Sequence, residues 1–206
     1  MPPTTPIAPA QRGRQARSRA ARSMVREQAM RLFLRDGYAA TTVEMIAETA
    51  GISRRTFFRY FESKEDVVTT RSEDLGARLG ENYRARPASE PPVVAMRAAF
   101  QPVIAEYARD PVRTRAILRL SAETPELRGR YRDVQALWIA TLASEVARRH
   151  PDEGPLHSEL LSAVSLAALN VAIARWLIDG GDLARLLDET FGLLPAMLGP
   201  SAAPPG

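Results

Sequence analysis

Between Ser53 and Tyr60 the chain places Ser53, Arg54, Arg55, Thr56, Phe58, Arg59 and Tyr60 in a single helical stretch, with Phe57 and Phe61 four residues apart beside them. A guanidinium can fork onto guanine, threonine methyls and phenyl rings can meet the thymine methyl, and serine and tyrosine hydroxyls can bond phosphate. Together these types form a duplex-reading surface. The competing reading is a solvated arginine-rich face, which gives no reason to leave Phe58 and Tyr60 in water.

A short helix reads a groove only when a second helix braces it across a brief turn, with small or apolar residues at the contact. The flanking residues supply that brace. Ile46, Ala47 and Ala50 give a preceding helix its inner face, Gly51 permits the turn, and Ile52 plugs the core beneath it. Phe57 and Phe61 then face Ala29 and Phe33 of an earlier helix that ends at Gly37. Thr41 with Glu44 fits a capping box for the bracing helix, with Thr42 as a competing cap. Ser53 caps the reading helix, and Ser63 with Asp66 opens a fourth.

The segments Gly37-Tyr38, Thr41-Thr42-Val43, Ile46-Ala47, Ala50-Gly51-Ile52-Ser53, Thr56-Phe57, Tyr60-Phe61 and Ser63-Lys64-Glu65 span roughly residues 20–68. In order and spacing they resemble the DNA-binding motif of the tetracycline-repressor (TetR) family. The resemblance implies a major-groove helix starting at Ser53, a phosphate contact from Thr42, and a backbone contact from Lys64. It also implies a homodimer on a near-palindromic operator in double-stranded DNA, usually a repressor released by a small-molecule effector. Family members vary at the positions of Arg54, Arg55 and Arg59, so the operator sequence does not carry over.

Charge distribution agrees with a polyanionic partner. The chain carries a net +4, yet Gln11 to Arg71 alone holds 13 basic against 7 acidic residues. Arg12, Arg14, Arg17, Arg19 and Arg22 form a basic arm suited to phosphate or an adjacent minor groove. The arm lacks the apolar anchors of an interfacial helix, so no membrane partner is expected.

The expected fold is all-α, with about nine helices. Residues 1–17 read as a disordered basic arm, 18–68 as the three-helix DNA-binding unit, 69–198 as a ligand-binding and dimerisation domain, and 199–206 as a disordered tail. Three prolines between Arg84 and Pro92 mark a connector, and Asp110-Pro111 and Thr124-Pro125 mark helix starts. A long helix from Pro155 to Gly180 and a last one from Asp182 to Leu198 follow. Ala163, Ala167, Ala168, Ala172 and Ala174 allow close approach of the long helix, with Leu160, Leu161, Val164 and Val171 filling gaps, as a dimer face or as monomer core. Candidates for an effector site are the large or polar residues on apolar faces: Phe100, Tyr107, Arg119, Tyr131, Trp138, Thr141, Asn170 and Trp176.

Enzyme chemistry finds little support. The chain has no cysteine, its two histidines (His150 and His157) sit near a polar break, and no phosphate-binding glycine loop or nucleophile elbow appears. No metal or cofactor is expected. Neither a signal-peptide stretch nor an unbroken bilayer-length apolar run is read, so a cytoplasmic location is expected. The rival to an effector-controlled regulator is a ligand-independent or architectural DNA binder, whose C-terminal domain would be packed solid.

Overall fold

The computed structural model describes residues 9–198, with backbone alone at 9–16, 71, 73 and 196–198. The expected disorder of residues 1–8 and 199–206 lies outside the described residues. Nine α-helices are described: α1 Pro9–Asp36, α2 Val43–Thr49, α3 Arg54–Tyr60, α4 Lys64–Arg84, α5 Pro92–Ala108, α6 Pro111–Glu123, α7 Pro125–Arg149, α8 Gly154–Asp179 and α9 Leu183–Leu198. A single 3-10 turn, Pro151–Glu153, precedes α8.

Local chemistry explains most of these boundaries. Ser53 and Ser63 cap α3 and α4 by accepting from the backbone N–H groups of Thr56 and Asp66. Asp110 does the same for Arg113 at the start of α6. Two expectations are corrected. Thr42, not Thr41, caps α2, because the Thr41 hydroxyl is committed to the Gly37 carbonyl at 2.8 Å. Helix α1 starts at Pro9 rather than Ser18, so residues 9–17 of the expected disordered arm are helical. Proline at the first position and the alanine, glutamine and arginine content that follows favour that extension.

Two hydrophobic cores divide the molecule. One gathers Val25, Ala29, Phe33, Ile46, Phe57 and Phe61 from α1–α3, and closes on Val67 and Val68 of α4 and Leu127 of α7. The larger one joins α4, α5, α7, α8 and α9 around Leu79, Met96, Phe100, Trp138, Leu142 and Leu169. Helix α4 contributes to both cores, so the expected boundary at residue 68 falls inside a continuous helix.

Helices α4 and α7 pack closely at two glycines. A methyl group on Gly76 would lie 2.4 Å from Trp138 Cδ1, and one on Gly80 would lie 2.9 Å from Thr141 Cγ2. The Gly76-Ala77-Arg78-Leu79-Gly80 spacing therefore seats α7 almost on the α4 backbone.

Helix α8 corrects a further expectation. Residues 151–179 are long and apolar enough to cross a membrane by length and composition, with a mean hydropathy of 1.7 over 18 residues. Their apolarity divides between two faces of α8. Leu161, Ala168, Leu169, Ala172 and Ile173 are buried in the core, whereas Leu156, Leu160, Ala167, Val171, Ala174 and Ile178 are exposed. The outward stripe repeats every three or four residues, the period of one helix face.

Candidate functional site

The α2–α3 unit is built from the turn outward. Gly51 takes φ +65°, a left-handed conformation that a side chain disfavours. Its N–H donates to Glu48 O, and that of Ile52 donates to Ala47 O at 2.9 Å. The turn sets α3 so that Phe57, fully buried, faces inward while Arg54, Arg55, Phe58 and Arg59 face solvent.

The surface side chains are not all equally available. Arg54 pairs with Glu44 at 3.0 Å and lies over the Phe58 ring, which bridges α2 and α3. Arg59 stacks on Tyr60 and donates to its hydroxyl at 3.2 Å. Thr56 is half-buried, and its hydroxyl shares a hydrogen bond with the Ser53 cap. Arg55 and Phe58 project into solvent, with Phe58 45% exposed.

Lys64 is half-buried at the start of α4. Its ammonium donates to the carbonyls of Tyr38 and Thr41 and sits 4.1 Å from the Tyr38 ring centroid. Those two acceptors use two of its three N–H groups. Beside it the Tyr38 hydroxyl donates to Glu65. Burial opposes the Glu65 charge, but the Tyr38 and Ser63 hydroxyls and the Lys64 charge hold its carboxyl below the ordinary range. Burial, then the Glu65 charge, pushes the Tyr38 phenol up, so it remains a donor. Lys64, Tyr38 and Glu65 thus fix the α1–α2 loop against α4, close to Thr42.

The basic arm is partly engaged by the protein itself. Arg22 donates to the Thr70 hydroxyl of α4 and lies over the Phe61 ring. Arg17 and Arg19 are exposed, and the side chains of Arg12 and Arg14 lie outside the described residues.

A second concave feature lies where the two cores meet. A partly enclosed cavity of about 280 Å³ is walled by Glu27 and Met30 of α1, Thr69, Ser72 and Leu75 of α4, Tyr107 of α5, Arg113, Ile117 and Ser121 of α6, and Tyr131 of α7. Arg113 of α6 donates to the carboxylate of Glu27 of α1 at 2.5 Å. That bond, then the arginine's charge, lowers the Glu27 pKa despite partial burial. Glu106, almost buried at the cavity wall, accepts from Arg109 at 2.6 Å.

Of the eight residues expected around an effector, Tyr107 and Tyr131 line this cavity. The rest lie elsewhere. Trp138 is 2% exposed in the α4–α7 crossing and donates to Ser72 O at 2.8 Å. Phe100 packs on Phe191 in the main core. Thr141 bonds Leu137 O, and Arg119 donates to Leu177 O near the end of α8. Trp176 is buried, with its indole N–H on Gly181 O. Asn170 accepts from Gln135 at 2.8 Å, and Gln135 in turn meets the Tyr131 hydroxyl, so Asn170 touches the cavity only through intermediaries. The sequence reading missed Thr69, Ser72 and Ser121. Their signal was small hydroxyl residues at helix positions that otherwise face a core.

Residues 25–69 match the family described as "Bacterial regulatory proteins, tetR family", and residues 90–199 match the MftR C-terminal domain. The HTH-type transcriptional regulator TcmR of Streptomyces glaucescens is 37% identical over 57% of this chain, and the match spans 55% of TcmR, about half its length. The transcriptional regulator MftR of Mycobacterium tuberculosis is 30% identical over 82% of this chain and 87% of its own. Among solved structures, Thermus thermophilus FadR, a TetR-family repressor in complex with lauroyl-CoA, is 26% identical, with a TM-score of 0.57 over 90% of this chain and 99% of that one. SmeT in complex with triclosan shares the fold at 20% identity, with a TM-score of 0.65 over 91% of this chain and 98% of that one. A reading helix framed as these regulators require, and matches that run from α1 to α9, lead to one conclusion: this chain belongs to the TetR family and is a sequence-specific DNA-binding regulator of transcription.

Proposed function

We propose that the protein is a cytoplasmic homodimer that represses transcription from a near-palindromic operator and leaves it when a small molecule enters the cavity between α1, α4 and α6. The observation that carries this reading is the cavity's position. Its wall is shared between the reading unit and the C-terminal domain, and the Glu27–Arg113 pair ties the two across it. A ligand that prefers a different spacing of α1 and α6 shifts the population toward a form whose reading helices no longer fit the operator. The outward stripe of α8 supports the dimer.

Met30, Leu75 and Ile117 beside the hydroxyls of Thr69, Ser72, Ser121 and Tyr131 suit a largely apolar molecule with a few polar groups. Lauroyl-CoA and triclosan, the ligands of FadR and SmeT, are the first probes. An effector should weaken operator binding by about 5–150-fold, and operator should weaken effector binding by the same factor. Ser121→Phe, which fills the cavity, should abolish that response while leaving unliganded operator affinity near native. Fluorescence anisotropy with labelled operator measures both. A Ser121→Phe protein that responds in full places the effector elsewhere, and a native protein indifferent to a broad panel favours the ligand-independent binder.

On the operator, Arg55 and Arg59 are assigned to base edges, with Thr56 and Phe58 beside thymine methyls. Thr42, Ser53, Tyr60 and Lys64 are assigned to the backbone, and Arg54, held by Glu44, to a neighbouring phosphate. Arg55→Ala or Arg59→Ala should each cost about 1–3 kcal/mol and relax specificity at one base pair. Lys64→Ala should weaken all sequences alike and reduce the salt slope by about 1. Salt titrations on native and base-substituted operators separate the two classes. A double Arg55→Ala, Arg59→Ala protein with native affinity would remove the assignment.

A further inference from the structure

At the end of the molecule away from the reading helix, more hydrogen-bond donors converge than the protein supplies acceptors for. Tyr83 and Arg84 close α4, Arg86 follows in the connector, and Glu145, Arg148 and Arg149 come from the last turns of α7. The two carboxylates that bond these arginines are committed. Glu145 accepts from Arg84 at 3.0 Å and also pairs with Arg148, while Glu90 accepts from Arg86 at 2.7 Å. Arg149 directs one terminal nitrogen to the carbonyls of Pro87 and Glu90. Its Nε and other terminal nitrogen are buried without a hydrogen-bond partner among the described residues.

The Tyr83 hydroxyl is in the same position. The residue is 0% exposed, and its hydroxyl faces the Arg149 guanidinium, which can donate to the oxygen but has no acceptor to offer the phenol proton. Burial pushes the phenol up, partly offset by Arg149, so Tyr83 keeps its proton to donate. Arginines near helix C-termini are ordinary dipole partners, which accounts for Arg84 and Arg148. It does not account for buried donors left without acceptors, which native interiors avoid. The space between them, about 190 Å³, exceeds the roughly 30 Å³ share of a single water.

We propose that the pocket formed by Tyr83, Arg84, Arg86, Glu145, Arg148 and Arg149 binds a small oxyanion, a phosphate or a carboxylate, separately from both operator and effector. Glu81 and Glu153 also act on Arg84 and Tyr83, so what suits the pocket to an anion is its convergent unpartnered donors and not an excess of charge. The site is independent of the reading surface. Helix α4 runs 21 residues, roughly 30 Å, between Lys64 and Arg84.

The test is thermal unfolding of the full chain in inorganic phosphate, in acetate and in chloride at matched ionic strength. Phosphate or acetate should raise Tm saturably by a few degrees where chloride does not, and the more effective of the two identifies the oxyanion class. Tyr83→Phe removes a single donor atom and should weaken the effect several-fold, and Arg149→Gln should abolish it. Arg55→Ala with Arg59→Ala should leave it intact, since that pair lies on the reading helix. Should Arg149→Gln fail to fold, Tyr83→Phe still decides. A Tm that follows ionic strength alone, an anion affinity unchanged by Tyr83→Phe, or an effect lost with Arg55 and Arg59 would each overturn the proposal.

Discussion

Val171→Asp is expected to leave the protein monomeric and to eliminate operator binding. Val171 is 54% exposed on the α8 face that also carries Leu156 at 77%, Leu160 at 59% and Ile178 at 72%. A monomer has no reason to hold so long an apolar stripe in water, whereas a two-fold partner covers it with its own copy. Leu193 of α9 is exposed as well. An aspartate there would be buried twice in a symmetric dimer, and the nearest cation along the helix, Arg175, already pairs with Asp179. Each uncompensated charge costs several kcal/mol. A loss on the order of 5 kcal/mol weakens association by more than about 10³-fold. Sedimentation should show monomer, and operator affinity should fall in step because one reading helix spans only one half-site. Val112→Asp, at a residue 80% exposed on α6, is the control that should stay dimeric. A Val171→Asp protein that sediments as native dimer would place the interface on another surface.

Gly76→Ala is expected to destabilise the fold by about 3 kcal/mol, although helix propensity alone predicts a gain of about 0.8–1 kcal/mol. The added methyl would meet Trp138 Cδ1 at 2.4 Å and Nε1 at 2.5 Å. Trp138 cannot yield cheaply, because it is 2% exposed and its indole N–H is held by Ser72 O. Moving it breaks a buried hydrogen bond as well as the packing. The expected Tm loss is about 6–12 °C at about 2–4 °C per kcal/mol. Combining Gly76→Ala with Trp138→Phe should cost less than the sum of the two changes, which a double-mutant cycle measures. Gly80→Ala should be milder, since the nearest atom is a threonine methyl at 2.9 Å. A stabilised Gly76→Ala protein would mean that α7 can retreat from α4.

The difference between what the sequence disclosed and what it hid follows from the range of the interactions. Ser53, Ser63 and Asp110 announce their helices because a cap bonds a backbone N–H three residues away. Phe57 and Phe61 declare their burial through four-residue spacing, and the reading surface opposite them follows. Helix rotation is not local in that sense. Ala168 and Ala172 were grouped with Ala167 and Ala174 as one face, yet the first pair is buried against the core and the second points outward. An alanine-rich helix has small residues all round, so composition does not say which side meets which neighbour. Trp138 misled for a related reason. A lone tryptophan on an apolar face looks like a pocket residue until Gly76, 62 positions earlier in the chain, is seen to make room for it. The cavity was hidden because its wall draws on α1, α4, α5, α6 and α7, and no single helix carries its signature.

Helix α6 packs Ile117, Leu118 and Leu120 against the two cores, and its long-range polar ties are guanidinium groups. Arg113 reaches Glu27 on α1, while Arg115 and Arg119 converge on the carbonyl of Leu177 near the end of α8. One helix thus connects the reading unit, the cavity wall and the helix of the outward stripe. Guanidinium groups do not deprotonate in any physiological range, and a backbone carbonyl does not titrate. The α6–α8 link is therefore indifferent to pH, and the α6–α1 link responds to acid alone. Because the folded protein depresses the Glu27 pKa, that link is complete above the ordinary carboxylate range and is lost as pH falls through the depressed value. Alkaline or near-neutral swings therefore leave both ties unchanged, and under the proposed function it is a ligand in the cavity that moves α6 in that range.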